Sequence, residues 1–391
     1  MRKHTHWLCA AFILAVAVSA TAQEYTSRMA VLQNEELWPD FIVQGEYLAK
    51  FDGYDVGLHI IADGGGNFRV VGYPGGLPGA GWDTAEPRIL GTAQFVVGEG
   101  FTFTAAEGSE QYIGTGELKG NLIGPEQGGR VTIEIPSMDI VFEKQNRQSP
   151  TLGGEPPAGA VVIFDGTNLN KFQEGARMNQ PRRGGNTLWA EAATTAFEKK
   201  PYKMHLEFML SYMPQARGQA RSNSGVYIDE RYELQVLDSF GLEGKDDECG
   251  GFYQLASPSV NMCFPPLTWQ TYEIDFTPAR WDGGRKIANA RVSVKHNGVL
   301  IQDDLELPHH TPGRRNEAPE PLGVYFQGHG NQVQYRNIWV QYRDWPAVPP
   351  PAVGEIGEMR EPMAEESAPP RRRPMRQQSQ PIFPRLRALL P

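Results

Sequence analysis

Short runs in which apolar and polar residues alternate recur along this chain, and helical spacing is nearly absent. Met204, Leu206, Phe208 and Leu210 alternate with His205, Glu207 and Met209. Tyr232, Leu234 and Val236 alternate with Glu233 and Gln235, and Tyr272, Ile274 and Phe276 with Glu273 and Asp275. A period of two sends each set to one face of a strand. Between Ala290 and Ile301, Asn297-Gly298 is the dipeptide best suited to a type I′ hairpin turn. With 43 glycines and 31 prolines to punctuate such runs, the expected fold class is all-β, and the strand spacing of the second half argues a β-sandwich.

In chain order, Arg2 and Lys3 followed by the apolar run Trp7–Ala20 and the small-x-small site Ala20-Thr21-Ala22 read as a signal peptide over residues 1–22. The run is shorter than the ~20 residues of a spanning helix, so export to a periplasmic or extracellular location is expected, with no membrane span. Residues 24–145 read as a small all-β domain. In it, Asp63-Gly64-Gly65-Gly66 is a turn, and the Gly/Pro loop Tyr73–Trp82 lacks the Lys-Ser/Thr ending of a phosphate cradle. Residues 146–159 are a linker by composition, 160–343 the sandwich, and 346–391 a Pro-rich disordered tail. That tail carries the basic patch Arg371, Arg372, Arg373 and Arg376, which could contact an anionic polymer. The formal net charge of −9 does not suggest a nucleic-acid partner.

Removal of the leader would leave Cys249 and Cys263, an even count that in an exported chain favours one disulfide. Glu233-x-Gln235-x-x-Asp238 has the outline of a two-carboxylate site, with a bulge near Leu237 needed to bring Asp238 to the same face. An amide stands in the middle position, so the usual acid-and-nucleophile pair is incomplete. His205 and Glu207 form a second polar pair, which is also what a solvated strand face looks like. In Gln327-Gly328-His329-Gly330-Asn331, two glycines flank a histidine, the side chain most easily set for proton transfer near neutral pH. No cofactor is indicated. His309-His310 could contribute to a divalent metal site but has no third ligand in view, and the question of a metal stays open.

Taken in order, these segments resemble the 3-keto-disaccharide hydrolase domain family, formerly domain of unknown function 1080. The resemblance rests on Ile163-Phe164-Asp165-Gly166-Thr167-Asn168-Leu169, His205-Leu206-Glu207-Phe208 and Asn223-Ser224-Gly225-Val226-Tyr227. It continues through Arg231–Ser239, Cys249-Gly250-Gly251-Phe252-Tyr253, Trp269-Gln270-Thr271-Tyr272, and Gln327–Asn331 to Arg336-Asn337-Ile338-Trp339. It covers about residues 160–341 and implies a concanavalin A-like jelly-roll sandwich acting on sugars with a ketone at C3. The ketone acidifies the C2–H. A base removes that proton, the C1 substituent is eliminated, and water adds to the enone. The chemistry asks for a base, a donor to the enolate oxygen and an acid for the leaving group.

The resemblance makes Glu233 or His329 the base, His205 or Arg231 the enolate stabiliser, and Asp238 or Glu207 the acid. Asn223, Gln235, Gln327 and Arg336 join Glu207 and Arg231 as substrate-binding candidates. The family often has Asp-His-Gly-Asn where this chain has Gly328-His329-Gly330-Asn331, so that acid is missing here. The expected partner is an oligosaccharide or glycoside. A non-catalytic carbohydrate-binding or cell-surface protein on the same fold is the competing expectation. Convergence of Glu233, His205 and His329 in one pocket would separate enzyme from binder.

Overall fold

The computed structural model describes residues 23–346 except 125–128, 136–137 and 182–184. The expected signal peptide and nearly all of the expected tail lie outside the described residues.

Eight antiparallel strands close into a barrel. They are β1 (Gly45–Phe51), β2 (Tyr54–Gly64), β3 (Asn67–Pro74), β4 (Ile89–Val96), β5 (Gly100–Ala105), β6 (Glu117–Ile123), β7 (Arg130–Ile135) and β8 (Met138–Gln145). Each strand pairs with its successor, and β1 returns to pair with β8 through Glu46 opposite Gln145 and Leu48 opposite Glu143. Gly64, Gly65 and Gly66 all have positive φ, which is what the tight turn between β2 and β3 requires. Alternation sorts the wall: Leu58, Ile60, Phe68 and Val70 point into the barrel, whereas Ile61, Val71 and Tyr73 point out and join the core of the neighbouring sandwich. Two short helices, α1 (Arg28–Leu32) and α2 (Trp38–Val43), pack Val31 and Val43 against one end of the barrel core.

The remaining strands form two facing sheets and a separate two-stranded ribbon. They are β9 (Val161–Phe164), β10 (Met178–Asn179), β11 (Thr187–Trp189), β12 (Ala192–Ala193), β13 (Tyr202–Met209), β14 (Asn223–Ile228) and β15 (Tyr232–Leu237). Next come β16 (Trp269–Thr277), β17 (Arg280–Asp282), β18 (Arg285–Ala288), β19 (Ala290–His296), β20 (Val299–Leu307), β21 (Tyr325–Phe326) and β22 (Gln334–Tyr342). The larger sheet runs β10-β11-β22-β13-β16-β19-β20, with β9 on β22. The smaller runs β12-β21-β14-β15, and β17 pairs with β18 as the ribbon. Met204, Leu206, Phe208, Tyr272, Ile274 and Phe276 from the first meet Val226, Tyr232, Leu234 and Val236 from the second in one buried core. This is the all-β sandwich the alternation called for. Asn297 and Gly298 both take positive φ between β19 and β20, as the turn dipeptide implied.

Barrel and sandwich are joined by buried charge. Arg221 Nε donates to Asp238 Oδ2 at 2.6 Å, its Nη1 donates to the Ala62 carbonyl at 3.2 Å, and Asp63 of the barrel lies 3.8 Å away. Beside this, the His59 ring stacks on Phe240 with centroids 4.5 Å apart. Arg147, just after β8, binds Glu46 of β1, donates to the Pro78 carbonyl at 2.8 Å, and lies over the Phe264 ring. Burial would push the Glu46 carboxyl up, but hydrogen bonds from Arg147 and His59 outweigh it and hold it at about 2.

The expected disulfide is not formed in this structure. Cys249 and Cys263 are separate buried thiols, the first 3.2 Å from the Tyr272 hydroxyl and the second 3.5 Å from the Leu237 carbonyl. Both thiols are therefore occupied as hydrogen-bonding groups inside the core. No helix among the described residues is long and apolar enough to cross a membrane.

Removing one partner of a buried ion pair strands the other charge, at a cost of roughly 3–5 kcal/mol. Asp238→Ala should lower the denaturant midpoint accordingly, and the double replacement Arg221→Met with Asp238→Leu should recover most of it. An unchanged midpoint in Asp238→Ala would show that the pair does not hold the two units together.

Candidate functional site

The hairpin of β14 and β15 turns at Asp229 and Glu230, both with positive φ. Its register sets Tyr227 opposite Glu233 and Gly225 opposite Gln235. With Leu234 and Val236 committed to the core, period two forces Glu233 and Gln235 onto the outer face of the smaller sheet. There they floor a pocket of 140 Å³ whose walls include Asn223, Tyr227, Tyr253, Gly313, Gln327 and His329.

Each polar group of the floor is held by a neighbour. Tyr227 donates its hydroxyl proton to Glu233 Oε2 at 2.7 Å, and Gln327 Nε2 donates to the Tyr227 oxygen at 3.3 Å. Gln235 Nε2 donates to Asn223 Oδ1 at 2.8 Å and to the Ser224 carbonyl at 3.0 Å. Gly225 makes room for the acid: a Cβ there would lie 2.3 Å from Glu233 Oε1. The far wall is the loop after β21. Gln327 N–H donates to the Gly225 carbonyl at 2.8 Å, Ser224 Oγ donates to the Gln327 carbonyl at 2.7 Å, and Asn223 N–H donates to Asn331 Oδ1 at 2.9 Å. Those three bonds bring exposed His329 to the rim. Gly328 is needed because a Cβ there would lie 2.6 Å from Glu191 Cβ.

The electrostatics of this pocket are simple. Among its lining residues Glu233 is the one carboxylate, and none is Lys or Arg. Burial raises the Glu233 pKa to about 7, and the Tyr227 hydrogen bond only partly offsets it. A carboxyl poised there can hold or release a proton near neutral pH.

Other candidates lie elsewhere. Asp238 does not reach the floor: its carboxylate is spent on Arg221 at the join with the barrel. Arg231 is buried and fully engaged, donating to the Asn316 and Glu320 carbonyls at 2.9 and 3.1 Å and to Asp229 Oδ2 at 2.7 Å. It straps the 311–322 loop onto the hairpin and so builds the rim without entering the pocket. His205, Glu207 and Arg336 sit on the outer face of the larger sheet, on the opposite side of the sandwich core.

That second face is covered by the segment expected to be a linker. Gly153 N–H donates to Glu207 Oε1 at 2.6 Å, and Arg336 Nε donates to Glu207 Oε2 at 2.6 Å. Asn337 Nδ2 adds a bond to Glu207 Oε1 at 2.9 Å, and the His205 ring stacks on Trp339. Burial alone would raise Glu207, but bonds from His205, Asn337 and Arg336 hold it at about 2. Burial likewise pulls His205 down, yet contacts with Glu207 and Glu273 outweigh it and raise its pKa. A histidine and a carboxylate locked together under a backbone clasp form a structural network. Of the three residues whose convergence was the criterion, Glu233 and His329 meet and His205 does not.

Sequence reasoning passed over Tyr227, Tyr253, Gln219 and Gly313 as site residues, though all four line the pocket. Tyr227 was legible in principle: a three-residue turn, Asp229 to Arg231, makes it the cross-strand partner of Glu233. Tyr253 and Gly313 arrive on long loops that no local pattern could place. Among the described residues no group of three or more His, Cys, Asp or Glu is arranged to hold a metal ion.

Residues 159–341 match the family model described as a 3-keto-alpha-glucoside-1,2-lyase-like domain. The match coincides with the sandwich and makes it similar to carbohydrate-active, glycoside-cleaving domains. No curated protein sequence matches the chain. Among solved structures, a "putative glycosyl hydrolase" from Parabacteroides distasonis ATCC 8503 is 23% identical over 48% of this chain and 85% of its own, with a TM-score of 0.42. A second protein of that description from the same organism is 14% identical over 50% and 93%, with a TM-score of 0.26. Trypanosoma rangeli sialidase is 10% identical over 76% and 60%, with a TM-score of 0.28.

The Glu233 environment has a thermodynamic signature. Its carboxyl ionises near 4.5 when unfolded and near 7 when folded, so the native state retains a proton that the unfolded state has lost between those values. Stability contributed at this site therefore falls as pH rises from 4.5 to 7. Glu233→Gln should remove that fall, its stability relative to the parent rising across this window by on the order of 3 kcal/mol. Urea midpoints of both proteins against pH would measure it, and parallel curves would contradict a raised Glu233.

Proposed function

We propose that the sandwich cleaves 3-keto-glycosides or 3-keto-disaccharides by C2 proton abstraction followed by elimination and hydration. One observation carries the reading: the pocket holds a single carboxyl, raised to about 7, with no second carboxylate beside it. A two-carboxylate glycosidase needs a partner acid at ~5–9.5 Å across the scissile bond. The two sequence candidates for that partner are committed elsewhere, Asp238 to Arg221 and Glu207 to Arg336. Elimination assisted by a neighbouring ketone needs one base and no oxocarbenium ion, and that matches what the pocket contains.

In this reading Glu233 is the base at C2. Its site lets it be largely ionised just above neutrality yet basic enough to take a carbon-bound proton. Tyr227 spends its one hydroxyl proton on holding the carboxylate in place, and the second N–H of Gln327 Nε2 is the donor near the oxygen on which charge develops, the role first given to His205 or Arg231. His329, exposed at the rim, is placed to protonate the departing C1 oxygen. Gln327 Oε1 is buried with no partner among the described residues, which leaves an acceptor for a sugar hydroxyl. Asn223 and Gln235 complete a neutral, amide-rich lining suited to an uncharged sugar. The proposal includes an exported enzyme, on the strength of the leader sequence.

The test is incubation of the purified chain with 3-keto-trehalose or a 3-keto-glucoside, with released 3-keto-glucose measured. Glu233→Gln should cut turnover by ~10²–10⁴-fold, whereas His205→Gln, if folded, should retain most of it. The rate of the parent protein should climb as pH rises through about 7, because the base must be ionised. No release by the parent protein would end the enzyme reading and leave carbohydrate binding.

Gly225→Ala offers a second check. Its φ is not in the left-handed region, so the added methyl acts chiefly by displacing Glu233. A base moved by about 1 Å should cost on the order of 10²-fold in kcat with the circular dichroism spectrum preserved. Undiminished kcat would mean that Glu233 is not at the reacting carbon.

A further inference from the structure

The barrel contains a cavity that the sandwich chemistry does not use. It encloses 110 Å³ and is lined by Phe51, Val70, Phe103, Ile133, Ile140 and Phe142, among others, with a surface that is almost wholly carbon. The barrel is filled at only one end. There Tyr47, Ile60, Phe68, Phe101 and Val131 pack together, and α1 and α2 add Val31 and Val43. Toward the other end the inward positions of β3 and β4 are Gly72 and Gly91, which carry no side chain. Register sets Gly91 beside Val70 and Gly72 beside Ile89, and backbone approaches closely there: a Cβ at Gly91 would lie 2.8 Å from the Thr104 carbonyl oxygen and one at Gly72 3.3 Å from Ile89 Cβ, so this side of the cavity is bounded by main chain. The other walls are bulky, and Ile113 of the short helix α3 (Glu110–Ile113) contributes at the cavity's edge.

An apolar cavity of this kind stays dry, and a cavity of ~150 Å³ lined by aliphatic and phenyl side chains takes up benzene. Eight-stranded barrels have interiors just wide enough either to be filled by side chains or to hold one small ligand. This barrel does the first at the helix-covered end and leaves room for the second at the other.

We propose that the barrel is a binding site for a small neutral apolar ligand, or the apolar end of a larger one, of benzene to toluene size, seated on Ile133, Ile140 and Phe142. No charged side chain lines the cavity, so selection is by shape and by exclusion of charge. Binding would be independent of the Glu233 pocket, which lies on the far face of a different sheet.

The experiment uses the full chain with labelled Ile, Leu and Val methyl groups, titrated with toluene. Saturable shifts confined to the methyls that line the cavity, among them Val70, Ile89, Ile113, Leu118, Ile133 and Ile140, are expected. Ile133→Phe fills the space and should weaken toluene binding roughly tenfold or more. If that variant does not fold, Ile140→Phe fills the same space from the neighbouring strand. Absence of saturable shifts up to the solubility limit of toluene would overturn the proposal. So would shifts scattered over the exterior, or a folded filling variant that binds toluene as the parent does.

Discussion

The side chains of a β-strand leave it in two directions only, and a two-sheet sandwich has one core but two outer faces. That constraint distributes every polar group of the second half of this chain. Leu234 and Val236 go inward on β15, so Glu233 and Gln235 face out on one side. Leu206 and Phe208 go inward on β13, so His205 and Glu207 face out on the other. The two pairs look alike in sequence and end with the whole core between them. One outer face is left open at a pocket, while residues 149–154 close over the other.

What separates the two faces chemically is where the cations went. Glu207 and Glu233 are both almost completely buried carboxylates. Arg336 reaches Glu207, together with His205 and Asn337, and the acid is held at about 2. Only a tyrosine reaches Glu233, and burial carries it to about 7. Arg231, two residues before Glu233, might have been its counter-ion by proximity alone. Arg231 instead closes the three-residue turn before β15, and its guanidinium is taken by Asp229 and the 311–322 loop. Arg221 is likewise consumed by Asp238 and the barrel. A pocket that can tune a proton near neutrality is thus a by-product of structural ion pairs that draw every nearby cation away.

The barrel shows the same economy on its two surfaces. Its inward residues build a private core, and outward Ile61, Val71 and Tyr73 are shared with the sandwich. Arg221, held by Asp238 of the sandwich, reaches the Ala62 carbonyl and Asp63 of the barrel, and Arg147, held by Glu46 of the barrel, lies over Phe264 of the sandwich. The join is therefore both apolar and ionic, and the cations it uses are kept out of the neutral lining of the Glu233 pocket.

Period two was enough to read the all-β class, the strands around Leu206, Leu234 and Ile274, the turn at Asn297-Gly298, and the outward direction of Glu233. These are local properties, fixed by residues within one strand or one turn. An ordered set of motifs, with Glu233 and His329 among them, was enough to recognise the family that residues 159–341 match. Local pattern could not say which outer face a polar residue occupies, because both sheets share one period. Nor could it foresee the closure of β1 on β8, residues ~100 positions apart whose pairing depends on how six intervening strands coil. Asp238 and His205 lie away from the Glu233 pocket for that reason: Arg221 draws Asp238 to the Ala62 carbonyl of the barrel, and Gly153 closes over Glu207 beside His205. Sequence determined what each strand presents on its two sides. Tertiary structure alone decided which of those sides would meet a counter-charge, which would be covered, and which would remain open to a substrate.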